Sequence, residues 1–341
     1  MINKIRARLS FIIAPLLLAA TLVTIGCNRS GTAEKAESKT GGEKLRIAVI
    51  PKGTTHLFWK LVHAGAAKAG KELGVEIIWQ GPQKEDDRQL QIQVVQNFVS
   101  QQVDGIVLAP LDERSLVPPV KAARNRNIPV VIFDSDLGSK DYESFVATDN
   151  YAGGKLAAKR MAEVVNGKGK IILLRYAEGS NSTTARENGF LEGLKEYAPQ
   201  TEIISSNQYA GATMEKAYQA SQNILNRFSQ VDGIFCANES STQGMLRALQ
   251  TSGKAGKVKL IGFDANETLL KAMQDGQIHG LAVQDPFRMG YEGVKTAVNV
   301  IQKKPYEKRL DTGVVMITKD NMDTPENKEL LNPDLDKWLD E

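Results

Sequence analysis

The sequence predicts an α/β protein built from two similar doubly wound parallel-sheet domains, and three observations lead there. An internal echo is the first: Val103-Asp104-Gly105-Ile106 returns about 130 residues later as Val231-Asp232-Gly233-Ile234. Second, short apolar runs without alternation are separated by segments of helical period. That is the pattern of strands buried on both faces and joined by helical crossovers. Third, Ile132-Phe133-Asp134 is matched by Gly262-Phe263-Asp264, so each half closes a strand with a carboxylate at its C-terminal end. Ligands of open parallel sheets bind outside those ends. Two such halves describe two lobes facing a cleft.

In the first half, strand 45–50 leads into a helix starting near Leu57, with Ala/Gly-rich spacing through Gly74. Strand 75–79, helix 87–101, strand 106–109, helix 115–125 and strand 130–133 follow, then a short strand 144–147. The second half begins at Thr148-Asp149-Asn150. It runs helix 153–166, strand 170–174, helix 183–197, strand 201–206, helix 213–227, strand 233–237, helix 241–251, strand 259–263 and helix 267–275. After strand 280–284 come helix 289–302 and a final strand, 313–317. Helical connections imply parallel pairing, and right-handed crossovers then give a doubly wound sheet in each half.

Of 43 basic side chains, three (Lys4, Arg6, Arg8) precede Cys27 where no acid occurs, so the remainder balances the 40 acids. That neutrality argues against a nucleic-acid partner, which calls for a clustered basic face. The basic start and the apolar run from Leu9 to Ile25 have the layout of a secretory signal, residues 1–26. Gly26-Cys27 resembles the lipobox of bacterial lipoproteins, with Thr24 departing from its usual aliphatic residue. This implies acylation of Cys27, a membrane anchor through lipid, and an exported protein of the cell envelope. Residues 28–43 read as a flexible tether. The other cysteine, Cys236, falls in a strand as a small buried hydrophobe. His56, His63 and His279 show no metal-ligand spacing.

Enzyme signatures are missing. There is no Walker sequence or dinucleotide G-x-G-x-x-G, Gly167-Lys168-Gly169-Lys170 is a helix-to-strand turn, and no nucleophile elbow appears. The reading is of a non-enzyme without cofactor or metal.

Residues 45 to about 317 resemble periplasmic sugar-binding proteins of the ribose/galactose-binding type. The segments that carry the resemblance include Ile47-Pro51 with His56-Leu57-Phe58-Trp59, and Pro129-Phe133 with Asp134-Ser135-Asp136. Thr148-Asp149-Asn150, Ala185-Arg186-Glu187, Ala237-Asn238-Glu239, Ile261-Gly262-Phe263-Asp264 and Gln284-Asp285-Pro286 continue it. The resemblance implies the type I periplasmic-binding-protein fold, with a three-crossing hinge near Asp149, Gln284 and Asp311. The lobes would be 44–148 plus 285–310, and 149–284 plus 311–341. The protein would be a monomer that captures a monosaccharide (pentose or hexose) by hinge closure and delivers it to the permease of an ABC-type importer. A sensory or signal-molecule receptor on the same fold, feeding a chemoreceptor or sensor kinase, stays open. A repressor-type regulator does not, because a signal and tether stand where a helix-turn-helix belongs.

By the same resemblance, Asp134 and Asp264 hold sugar hydroxyls, with Arg186, Asn238 and Gln284 as further polar contacts. Phe58 and Trp59 pack on the pyranose face, and His56 stands where ribose binders carry a sugar-contacting Asn. Carboxylates accept from two hydroxyls, Arg donates in a fork, and amides do both. From the residues alone, Asp134 or Asp264 could instead cap a following helix. Two adjacent helical aromatics lie about 100° apart, so one of Phe58 and Trp59 should look out from the core into the cleft. The second-lobe aromatic expected to complete the sandwich aligns near Ala212. Tyr209 and Tyr176 are possible substitutes.

Overall fold

The computed structural model describes residues 43–339. The signal segment, Cys27 and the tether therefore lie outside the described residues. Lobe 1 starts with β1 (Arg46–Ile50), α1 (Leu57–Leu73), β2 (Glu76–Trp79), α2 (Arg88–Ser100), β3 (Gly105–Leu108), α3 (Val117–Asn125), β4 (Val130–Phe133) and β5 (Ser144–Ala147). Lobe 2 follows with α4 (Asn150–Val164), β6 (Lys168–Arg175), α5 (Asn181–Tyr197), β7 (Gln200–Tyr209), α6 (Met214–Arg227), β8 (Gly233–Cys236), α7 (Glu239–Thr251), β9 (Lys259–Phe263), α8 (Glu267–Gln274) and β10 (Gly280–Gln284). The chain then returns to lobe 1 with α9 (Pro286–Ile301) and β11 (Arg309–Asp311), and ends on lobe 2 with β12 (Val314–Ile317) and α10 (Pro325–Leu331).

Two six-stranded sheets result, ordered β11-β5-β4-β3-β1-β2 and β12-β10-β9-β8-β6-β7. The orders are the same when the halves are superposed in chain order, so the echo in sequence is an echo in topology. Buried apolar strands such as β3 and β8, with helices on both faces, make two apolar layers per lobe. One departure from an all-parallel sheet is β12, which runs antiparallel to β10. β11 runs parallel to β5 and ends at the cleft, and the chain continues directly into lobe 2, so β12 starts at the cleft and runs away from it, against β10. The sequence pattern predicts no element at β11 or α10. β11 is a three-residue edge strand, and α10 spans seven residues.

The chain passes between the sheets three times, at 148–149, at Asp285 and at 312–313. Two of these passages are laced together: Thr148 Oγ1 donates to Gly313 O (3.1 Å) and Asp149 N to Asp311 Oδ1 (3.1 Å). The helices flanking them pack at glycine. A Cβ on Gly65 of α1 would lie 1.9 Å from Phe287 O of α9, and one on Gly154 of α4 would lie 2.0 Å from Arg186 O of α5. Only glycine permits that approach, and in lobe 2 it sets how deep Arg186 is carried toward the cleft.

Candidate functional site

The strand ends place the carboxylates first. Asp134 follows β4 with φ 59°, and Asp264 follows β9 with φ 65°. Each backbone N–H is held by the neighbouring strand, Asp134 N on Val146 O (3.1 Å) and Asp264 N on Ala282 O (2.8 Å). Left-handed backbone at a non-glycine residue is uncommon and tolerated best by Asp and Asn; here it turns both side chains into the cleft. Neither caps a helix. No helix follows Asp134 before β5, and α8 is capped by Asn266, whose side chain accepts from Leu269 N.

The structure gathers all eight candidate residues on one cavity of about 30 Å³ between the lobes. Lobe 1 contributes His56, Phe58, Trp59 and Asp134; Arg186, Asn238, Asp264 and Gln284 come from lobe 2. Phe58 and Trp59 do not divide between core and cleft: both line the cavity, and both pack in the same apolar cluster, with rings 4.8 Å apart and edge-on. The start of α1 lies where the core meets the cleft, and lobe 2 covers the cleft side. Neither direction is solvent. Asn238 also does more than face the cavity: its Oδ1 accepts from Ser241 N in a capping box for α7. Of the two tyrosines, Tyr176 lines the cavity and is buried, whereas Tyr209 is 46% exposed.

Sequence reasoning missed Lys52, Glu85 and Glu239. Lys52 stands just past β1, as Asp134 stands past β4, and that topological equivalence could have marked it. Its Nζ pairs with Asp134 Oδ2 (2.8 Å) and donates to Ser182 Oγ (3.1 Å) in lobe 2. Glu85, in the loop after β2, has no comparable signal. It accepts from Trp59 Nε1 (2.6 Å), from His56 Nδ1 (3.1 Å) and from the Tyr176 hydroxyl of lobe 2.

These contacts set the charges. Burial alone would depress His56, but the Glu85 hydrogen bond and charge, with help from Glu239 and Asp264, overcome it and raise the imidazole to about 9. Glu85 is the mirror case. Burial opposes its charge, yet His56, Lys52 and Tyr176 bring it down to about 2. Asp264 and Glu239 lie above the ordinary carboxylate range, chiefly through burial, against the opposing pull of Arg186 and of His56 respectively. Arg186 reaches Asp264 at 3.8 Å while donating to Asn150 Oδ1 (2.8 Å) and Ala237 O (2.9 Å), its guanidinium 3.8 Å from the Phe263 ring centre. Gln284 Nε2 donates to Asp264 Oδ1 (2.7 Å), and both Gln284 Oε1 and Glu239 Oε2 are buried acceptors without a hydrogen-bond partner among the described residues. Such acceptors are costly unless donors reach them. A wall of acceptors, three cationic side chains and an aromatic pair is what a small polyhydroxylated ring requires.

Fold and site together define a two-lobed solute-binding protein with a polar cavity between its lobes. Comparison with known proteins agrees. The periplasmic binding protein domain family matches residues 47–305, and the chain belongs to that family. It is 30% identical to the D-allose-binding periplasmic protein of Escherichia coli over 260 residues, 74% of this chain and 83% of that protein. A solved solute-binding protein of an ABC transporter from Agrobacterium vitis, with bound D-fucose, is 40% identical, with a TM-score of 0.80 over 84% of this chain and all of that one. Another from Agrobacterium radiobacter, in complex with D-arabinose, is 34% identical, with a TM-score of 0.81 over 85% of this chain and 99% of that one.

Proposed function

We propose that this protein is an extracytoplasmic solute-binding protein that captures a monosaccharide, pentose or hexose, by hinge closure and delivers it to an ABC-type importer. The observation that carries the reading is the cavity walled from both lobes by the duplicated carboxylates, Asp134 and Asp264. A molecule held between them is gripped by both lobes, and its removal from water strengthens each polar contact. His56, Phe58, Trp59, Arg186, Asn238 and Gln284 complete the contact set, with hydroxyls donating to the carboxylates and to Gln284 Oε1. The three passages between the sheets act as the hinge. Export and lipid anchoring at Cys27 belong to the same reading, and so does action as a monomer.

A thermal-shift screen against a panel of pentoses and hexoses tests it, because ligand raises stability by RT ln(1 + [L]/Kd). The expected result is a shift with at least one sugar and a smaller radius of gyration at unchanged mass in solution scattering. A panel that produces no shift overturns the reading. Cys27→Ala should stop incorporation of labelled fatty acid, and continued labelling removes the anchor.

A further inference from the structure

A second cavity, of about 250 Å³, adjoins the sugar site. Glu85 and Tyr176 line both, so the hydrogen bond between them is the partition. Beyond it, lobe 1 supplies Arg88 and Leu111, and lobe 2 supplies Glu178 and Ala212. The outer chamber is thus lined by the same two lobes as the inner one.

Its walls have the composition of a carbohydrate subsite. Arg88 is half exposed and spends one contact on Asp112 (Nη2 to Oδ2, 3.1 Å), leaving other donors of its fork for a ligand. Leu111, Ala177 and Ala212 offer an apolar floor. The size argument points the same way. The inner cavity is about 30 Å³, room for roughly two waters, while the two together approach the roughly 300 Å³ at which small-molecule pockets begin.

We propose that the outer chamber is a second subsite, and that the ligand is a monosaccharide unit extended at one hydroxyl: a glycoside or a disaccharide. This rests on the sugar-binding reading and deepens it. The linkage oxygen passes between Tyr176 and Glu85. An ether oxygen can only accept, so Tyr176 turns its hydroxyl onto it, while Glu85 keeps its bonds from Trp59 and His56. A free hydroxyl at that position would instead donate to Glu85. The partition therefore distinguishes an extended sugar from a free one.

The experiment is calorimetric titration of the full chain, first with D-arabinose, D-fucose, D-allose, D-ribose and D-galactose. The sugar that binds is then offered as its O-benzyl derivatives, one hydroxyl at a time, and as disaccharides containing it. One extended form is expected to bind within threefold of the free sugar, or tighter, and the others to be rejected. Ala177→Phe should weaken that form at least tenfold while leaving the free sugar within threefold, because Ala177 lines only the outer chamber. Ala177→Leu serves if the larger ring prevents folding. Tyr176→Phe should penalise the extended form more than the free sugar. If every derivative binds over a hundredfold weaker than the free sugar, or if the filled chamber still accepts the extension, this inference is overturned and the sugar-binding reading stands. If no sugar binds, free or extended, both fall.

Discussion

Asp134 and Asp264 occupy the same turn after the same strand in their two lobes, with φ of 59° and 65° and equivalent backbone bonds to the next strand. Their company differs. Asp134 faces a lysine of its own lobe at 2.8 Å, whereas Asp264 sees Arg186 only at 3.8 Å, because that guanidinium is committed to Asn150 and Ala237. Burial raises Asp264, and the charges of Asp134 and Glu85 add to the effect. One backbone device thus yields a neutralised carboxylate in lobe 1 and an under-neutralised one in lobe 2. The lesson is that duplication conserves geometry, while the partners decide what a carboxylate can do.

The contrast is broken hardest at Arg186. Truncation to Ala leaves Asp264 buried without a cation and two acceptors unpaired, which should cost about 3–5 kcal/mol of ligand-free stability in a urea melt. A loss under 1 kcal/mol would show the pair to be incidental.

Neutralising each carboxylate sharpens the comparison. Asp134→Asn strands Lys52 as a buried cation and should cost about 3 kcal/mol. Asp264→Asn takes the nearest carboxylate from buried Arg186 but also removes a charge that burial disfavours, so its cost in ligand-free stability should be smaller than that of Asp134→Asn. Sugar affinity should fall in both, by roughly 1.5–3 kcal/mol or about 10- to 150-fold. Equal melts for the two variants would erase the distinction drawn between the lobes.

The paired glycines test what the lobes share. Gly65→Ala and Gly154→Ala each force a Cβ onto a carbonyl, and both should cost about 1–3 kcal/mol. Only the second should also weaken sugar binding, because Arg186 rides on that contact.

The smallest expected effect is pH dependence. The folded pKa of His56 is raised to about 9, above its ordinary 6.5, so its contribution is complete below about 6.5 and disappears as pH rises through 9. Glu85, lowered from 4.5 to about 2, contributes fully above about 4.5 and loses that contribution as pH falls through 2. Stability from this network should peak between those limits and decline by about 1–2 kcal/mol from pH 7 to 10. In a His56→Gln protein the alkaline decline should flatten; a decline that persists unchanged assigns it to another group.

Much of this was legible in the residues. The strand and helix order emerged from apolar runs and their spacing because buried parallel strands leave that signature. The duplicated Phe-Asp closures and the resemblance pointed to eight positions that the fold brings to one cavity. The helix-capping alternative for the carboxylates did not survive, and Phe58 and Trp59 each face both core and cleft where a division between the two was expected. Both depended on what stands opposite a residue across a cleft, which periodicity within one segment does not encode.

By itself, then, the sequence determined two α/β lobes, their pairing through a repeated motif, and carboxylates at matched strand ends, since these follow from local patterns of burial and turn chemistry. Only the tertiary structure decided that Lys52 neutralises Asp134, that Glu85 ties Trp59 and His56 to Tyr176 across the lobes, and that a second chamber lies beyond that bond. Those contacts join residues up to 91 positions apart in the chain, and their energies depend on burial and distance that no segment carries alone.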